Sequence, residues 1–458
     1  MSNFFEHLVS SAWNRLRDRR RAPKEETSGL SLGLQVADDA VTHRKVTLGV
    51  TRRTTHIAVL GKTGSGKSSL LRSMAEQDIA AGRGFLWFDL HGDATPFLLK
   101  TIAAYERKES RHLSDRVVLI APADRMVSVG FNPLEAEEPN FRQIAEFAAI
   151  LKVRWSLDHF GARTDELLRN ALYVLAANGM TLLELAPLLT HSGFRAGCLK
   201  KVENLEVRQY FELRYDQASD AMRAVMREPI LNKVSAFTGD PQFRHIIGQR
   251  TSTFSMREAM DRGYWVIADL DKGRLGEQSL TLASLLFAVV KNALFSRERR
   301  SLFTIYADEI QNFAAIETGI ETVLSEARKF DVSVTTANQF LDQYPVPMRA
   351  AILSVGTHVY FQLSAADAAT VSQALDGGKS LAERLKNLAP RHFIVKAGAE
   401  RWTEAVTRTV VDPKVNYADL LSRVQAQCTR PRLEIEGEIH ERHAGIRQTT
   451  EEALHGWE

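Results

Sequence analysis

The sequence predicts an α/β protein with a parallel central sheet, interrupted by an inserted all-α domain. Three observations predict it. Short apolar runs alternate with helical stretches in a strand–helix–strand rhythm on both sides of a long middle section. That middle section has helical periodicity and few β-branched runs. A glycine-rich loop joins the first apolar run of the rhythm to the first helix.

The chain opens with "FFEHLVSSAWNRLRDRRRAPK", in which Phe4, Phe5, Leu8, Val9, Ala12, Trp13 and Leu16 recur at helical spacing. Arg15, Arg17, Arg19, Arg20 and Arg21 make its end basic. Such a helix docks on its own core, meets a partner or an anionic membrane through residues 1–21, or serves as a nucleic-acid arm, and the sequence leaves all three open. After Pro23 the polar "KEETSG" reads as a linker into short strands near 30–50, so 1–50 forms one segment.

"HIAVLG" at 56–61 is a buried-strand run, and "SSLLRSMAEQDIAAG" at 68–82 is a helix ending at a glycine. "GFLWFDLHGD" is a second strand ending in acids, and "RVVLIAP" at 116–122 continues the series, giving the first part of the α/β domain over 51–133. From 134 to 234 "NFRQIAEFAAILKV", "DELLRNALYVLAANG", "TLLELAPLL" and "DAMRAVMREPILNKVSAF" read as the helical insert. The rhythm returns over 235–412: "YWVIADL" at 264–270, a helix at 277–296, a strand reaching Asp308, a helix at 316–329 and "VSVTTA" at 332–337. "HVYFQL" and "HFIVKAG" finish the sheet, and 413–458 is a charged tail.

A chain of 458 residues divides into two or three units. Hydrophobic residues at 44% and charged residues at 25% are ordinary for a soluble globular protein, and a net charge of +3 is too small to argue for nucleic acid by itself. Cys198 and Cys428 are the only cysteines, so neither a disulfide framework nor a cysteine zinc site is expected, and a cytoplasmic setting fits. The longest apolar run, "LASLLFAVV" at 282–290, is too short for a bilayer crossing of about 20 residues, so no membrane span is expected.

"GKTGSGKS" at 61–68 fits the phosphate-loop pattern G-x-x-x-x-G-K-[ST], with a strand before it and a helix after it. Gly61, Gly64 and Gly66 let the backbone curl, so that the N–H groups along Lys62, Thr63, Ser65 and on to Ser69 face phosphate oxygens. Lys67 brings positive charge to the β and γ phosphates of ATP, and the Ser68 hydroxyl ligates Mg2+. The positive end of the following helix dipole adds to the same site.

"IYADEIQNF" at 305–313 ends an apolar strand with two adjacent acids. Alone, that reads equally as a strand reaching the surface. Opposite a phosphate loop it reads as Asp308 holding the magnesium through water and Glu309 polarising the water that attacks the γ phosphate. A kinase needs no such base, so the second acid favours hydrolysis coupled to movement.

Together "VLGKTGSGKSSLL", "FDLHGDA", "DLDKGRLGEQ", "IYADEIQNF", "LSEARKFDVSVTTANQF" and "SVGTHVYFQLSAADA" resemble the HerA/FtsK superfamily of DNA-pumping ATPases. The chain is most similar there to the TraG/TraD-type coupling proteins of conjugative type IV secretion, over about 56–375. The resemblance implies a RecA-like P-loop NTPase domain, assembly as a homo-hexamer and passage of DNA through a central pore. It also implies that Gln339 senses the γ phosphate, that Arg328 is an arginine finger, and that Asp89, His91 and Asp93 form a supporting acidic turn beside the nucleotide.

Coupling proteins of this type commonly begin with membrane-spanning helices. The departure here implies either a membrane partner reached through the amphipathic start, at the inner membrane, or a relative serving DNA repair or phage defence. The partner is then a relaxase, a secretion channel or a nuclease. A ring scaffold that ATP closes around an effector is the competing function, and DNA-stimulated turnover distinguishes the two. A small GTPase is disfavoured, because no N-K-x-D-like base-reading motif stands near the expected strand.

Overall fold

The computed structural model describes residues 29–136, 138–314 and 319–455. The basic amphipathic start read at 1–21 lies outside these, as does the beginning of the helix expected at 316–329.

The strands, in chain order, are β1 (Leu30–Ala37), β2 (Ala40–Leu48), β3 (Ile57–Leu60), β4 (Gly84–Asp89), β5 (Val117–Ile120), β6 (Val127–Ser128), β7 (Trp265–Asp269), β8 (Phe303–Asp308), β9 (Val332–Asn338), β10 (Thr357–Tyr360), β11 (His392–Ala397), β12 (Thr403–Val406) and β13 (Arg430–Pro431). Among the described residues, eleven of them form one sheet in the order β2-β1-β12-β11-β10-β3-β9-β8-β4-β7-β5. From β10 to β5 every neighbouring pair is parallel. Every residue of β3, β4 and β7 is buried, as expected of parallel strands covered on both faces by helices. Beyond β10, the strands β11, β12, β1 and β2 pair antiparallel and extend the sheet, while β6 and β13 pair separately. The parallel part carries the RecA-like fold.

Helix α1 (Lys67–Ala81) follows β3 and ends on Gly82, which adopts the left-handed φ of 69° that favours glycine. Helix α2 (Ala94–Glu109) follows β4. The insert includes α3 (Phe141–Arg154), α4 (Ala162–Ala177) and α5 (Asp220–Thr238). Helical structure continues past 234 to Arg262, where Asp240 and Ser255 each cap a further short helix. Helix α6 (Gln278–Phe295) is long and apolar enough to cross a membrane, but in this fold it is a core helix, buried along most of its length.

The helix expected to reach 329 ends earlier: α7 (Ile320–Glu326) gives way to a 3-10 turn over Ala327–Phe330. The stretch read as a tail carries two helices. Leu420, Val424 and Cys428 of α8 (Ala418–Cys428) join the main core, and Ile435 and Ile439 of α9 (Arg432–His455) pack on Leu183 of the insert. Glu436 of α9 also hydrogen-bonds His245 at 2.8 Å and pairs with Arg244 at 3.3 Å, so apolar and ionic contacts together fold this charged segment back.

A buried ion pair ties the phosphate-loop helix to the strand that bears the acids. Arg53 donates two 2.7 Å bonds to Asp78 of α1 and a third, of 2.8 Å, to Thr304 of β8. The Tyr306 hydroxyl donates to the same carboxylate at 2.6 Å. With all these donors converging, Asp78 stays ionised: Arg53 and Arg83 overcome the burial that opposes its charge.

Candidate nucleotide site

The phosphate loop leaves β3 and closes into the first turn of α1. Gly64 and Gly66 have φ of 76° and 120°, a region costly for residues with a Cβ. At Gly61 an added Cβ would stand 2.5 Å from the Phe361 Cβ. Lys67 is buried, and its ammonium donates to the Gly61 carbonyl at 2.6 Å and the Lys62 carbonyl at 3.1 Å. Burial pushes the Lys67 pKa down, against the pull of Asp308 and Glu309. The Ser65 hydroxyl donates to the Lys62 carbonyl at 2.7 Å, bracing the curl. Lys62, Thr63, Gly64 and Ser68 are exposed and Ser69 is half-buried.

The acids end the strand two places along the sheet from β3. Burial pushes the Asp308 carboxyl up to about 6, with Lys67 opposing and Glu309 adding to the rise. Glu309 is left-handed, at φ 55°, and its N–H is fixed to the Ala337 carbonyl at 2.8 Å. One Glu309 carboxylate oxygen accepts from Gln339 Nε2 at 3.1 Å, and the other accepts from Asn312 Nδ2 at 3.0 Å. Gln339 in turn accepts from the Thr63 hydroxyl at 3.0 Å. A continuous chain, Thr63 to Gln339 to Glu309, therefore joins the phosphate loop to the second acid.

The structure brings Lys67, Asp308, Glu309 and Gln339 together at the C-terminal end of the parallel strands. It does not bring Arg328 there. That residue is exposed in the turn before β9, whereas Gln339 follows the strand's last residue, about 20 Å away at the usual rise per residue.

The acidic turn divides its work. Asp89 accepts from the Gly92, Ala94 and Thr95 N–H groups and the Thr95 hydroxyl, at 2.7–3.1 Å, so it serves the start of α2 rather than a ligand. Asp93 pairs with Arg72 at 2.7 Å. His91 Nε2 stands 3.9 Å from the Glu309 carboxylate. The contribution of Asn312 was not read from the sequence, where an asparagine three residues after a glutamate carries no distinguishing signal.

A family model described as "Helicase HerA, central domain" matches residues 36–286. Among solved structures, the plasmid coupling protein TrwB in complex with the non-hydrolysable GTP analogue GDPNP is 17% identical, with a TM-score of 0.60, covering 85% of this chain and 93% of that one. TrwB in complex with ADP and Mg2+ is 18% identical, with a TM-score of 0.59, over 81% of this chain and 90% of that one. VirB4 of Thermoanaerobacter pseudethanolicus is 13% identical, with a TM-score of 0.54, over 85% of this chain and 99% of that one. No curated protein sequence matches the chain.

Proposed function

The chain belongs to the HerA helicase central-domain family, matched over residues 36–286, and from that premise we propose that this P-loop ATPase is an ATP-driven DNA translocase working as a homo-hexameric ring. The observation that carries the reading is the hydrogen-bonded chain from Thr63 through Gln339 to Glu309, which couples the phosphate loop to a candidate water-activating carboxylate.

ATP, with Mg2+, fits the residues present. Lys67 is buried and bonded to its own loop's carbonyls, leaving its charge free for phosphate oxygens. Asp308, whose charge burial opposes, would gain from a cation, and Asp308 and Ser68 would hold the ion. Among the described residues no group of three or more His, Cys, Asp or Glu side chains is arranged around a metal position. When bound, the magnesium would neutralise charge on the β and γ phosphates. Similar folds have been seen with ADP and Mg2+, in TrwB.

In this scheme Glu309 takes the proton of the attacking water. Gln339, bonded to both Thr63 and Glu309, reports whether the γ phosphate is present, because a ligand that draws on the Gln339 amide competes with both bonds. Arg328 lies at the far end of β9 from its own acids, so as a finger it serves the neighbouring subunit's phosphates. A ring supplies that neighbour.

The likeness to coupling-protein folds favours a setting beside a secretion channel, with a relaxase delivering the DNA. The protein then acts in the cytoplasm, with residues 1–21 the segment to meet an inner membrane or a partner. The test is ATP turnover with and without duplex DNA. Stimulation of several-fold supports the motor, whereas unchanged turnover in a protein that binds DNA favours a scaffold.

A further inference from the structure

Arg391 stands out in the backbone. Its φ is 70°, a left-handed conformation that is costly for a long side chain and that glycine would adopt freely. Its N–H donates to the Ser65 carbonyl of the phosphate loop at 2.7 Å, and its carbonyl accepts from the Thr407 N–H at 3.0 Å. A Cβ added to Gly66 would stand 3.0 Å from the Arg391 Cα, so this residue is the outer wall of the loop. Those backbone contacts need no side chain, and a glycine would make them without strain. The arginine side chain needs a separate reason.

Its position supplies one. The loop follows β3; the acids lie two strands away on one side, on β8, and Arg391 lies two strands away on the other, just before β11. A nucleotide whose γ phosphate faces Asp308 and Glu309 must send its α phosphate and nucleoside toward the opposite side. There the exposed Arg391 guanidinium bonds the Thr409 hydroxyl. The adjoining Arg408 donates to Ser73 at 2.8 Å and Glu76 at 2.6 Å, which fixes this segment along the middle of α1. We propose that Arg391, oriented by Thr409, binds the nucleoside end of the nucleotide, with its planar cation against the ribose and base. The inference rests on the nucleotide reading of the phosphate loop.

Two variants and two ligands test it. Arg391→Gly keeps the N–H and relieves the backbone, and Arg391→Lys keeps the charge but loses the planar fork. For Arg391→Gly, KM for ATP should rise about tenfold with kcat and melting temperature nearly unchanged, the scale of one charge-assisted bond. Arg391→Lys should recover part of that loss. Calorimetric affinity for inorganic tripolyphosphate, which has no nucleoside, should stay at the wild-type value in both. Unchanged KM for ATP in Arg391→Gly would overturn the proposal. Equal weakening of ATP and tripolyphosphate would also overturn it, assigning Arg391 to the phosphate loop instead. Wild-type protein that binds neither ligand would overturn the nucleotide reading itself, and this inference with it.

Discussion

Glu309 is held by three contacts: the Ala337 carbonyl of β9 fixes its N–H, while Gln339, just past that strand, and Asn312, one turn on, each donate to one carboxylate oxygen. A carboxylate restrained in this way loses little freedom when it meets a water, which suits a base. Glu309→Gln keeps the size and much of the hydrogen bonding and removes the charge. ATP should therefore still bind, while phosphate release slows about a hundredfold, the scale of a positioned base. Near-normal turnover would mean that another group activates the water. Lys67→Ala acts earlier. With only backbone dipoles facing the β and γ phosphates, calorimetry should find tight ATP binding lost. The residues of this end of the sheet were legible because glycine spacing and adjacent acids are local signals. Asn312 was not, since an asparagine three residues after a glutamate carries no distinguishing signal, and Arg391 was not, since its Ser65 partner lies far along the chain.

At the scale of elements, one histidine joins the helix that leads to Arg328 with the strand that leads to Gln339. His56 Nε2 donates to the Leu324 carbonyl of α7 at 2.9 Å, and Nδ1 accepts from the Val334 N–H of β9 at 3.0 Å. Both nitrogens are committed to the neutral ring, and burial pushes its pKa down to about 4. The unfolded chain therefore binds more protons than the folded one between that value and about 6.5, and folding stability falls as pH falls through this window. Between pH 7 and pH 5 the loss from this group is about 2 kcal/mol. Urea denaturation at the two pH values should show it in the wild type and a correspondingly smaller drop in His56→Gln. Equal drops would place the acid sensitivity elsewhere. The strands themselves were legible as apolar runs, with the acids at their ends. The length of α7 was not, because apolar residues recur at helical spacing in the sequence from 316 through Ala327, although the described helix tightens into a 3-10 turn at Ala327. The order of strands in the sheet, on which the opposite placement of the acids and Arg391 depends, also requires pairing over long stretches of chain.

The whole molecule presents its phosphate loop and acids at one end of the parallel strands and Arg328 at the other, an arrangement in which one subunit cannot complete its own site with that arginine. Arg328→Ala should therefore bind ATP normally and hydrolyse it slowly, by a factor of about a thousand if the finger dominates. Mixing Arg328→Ala with Lys67→Ala subunits should restore part of the turnover, at interfaces where an intact arginine meets an intact phosphate loop. No recovery in mixtures that co-assemble would remove Arg328 from the mechanism. Movement of DNA by hydrolysis is read most directly from displacement of a third strand from a triplex at the end of a long duplex. Wild-type protein with ATP should displace it after a lag that lengthens with the duplex, and Glu309→Gln should bind the same DNA and displace nothing. Wild-type protein that hydrolyses ATP on this DNA and leaves the third strand in place would contradict the account.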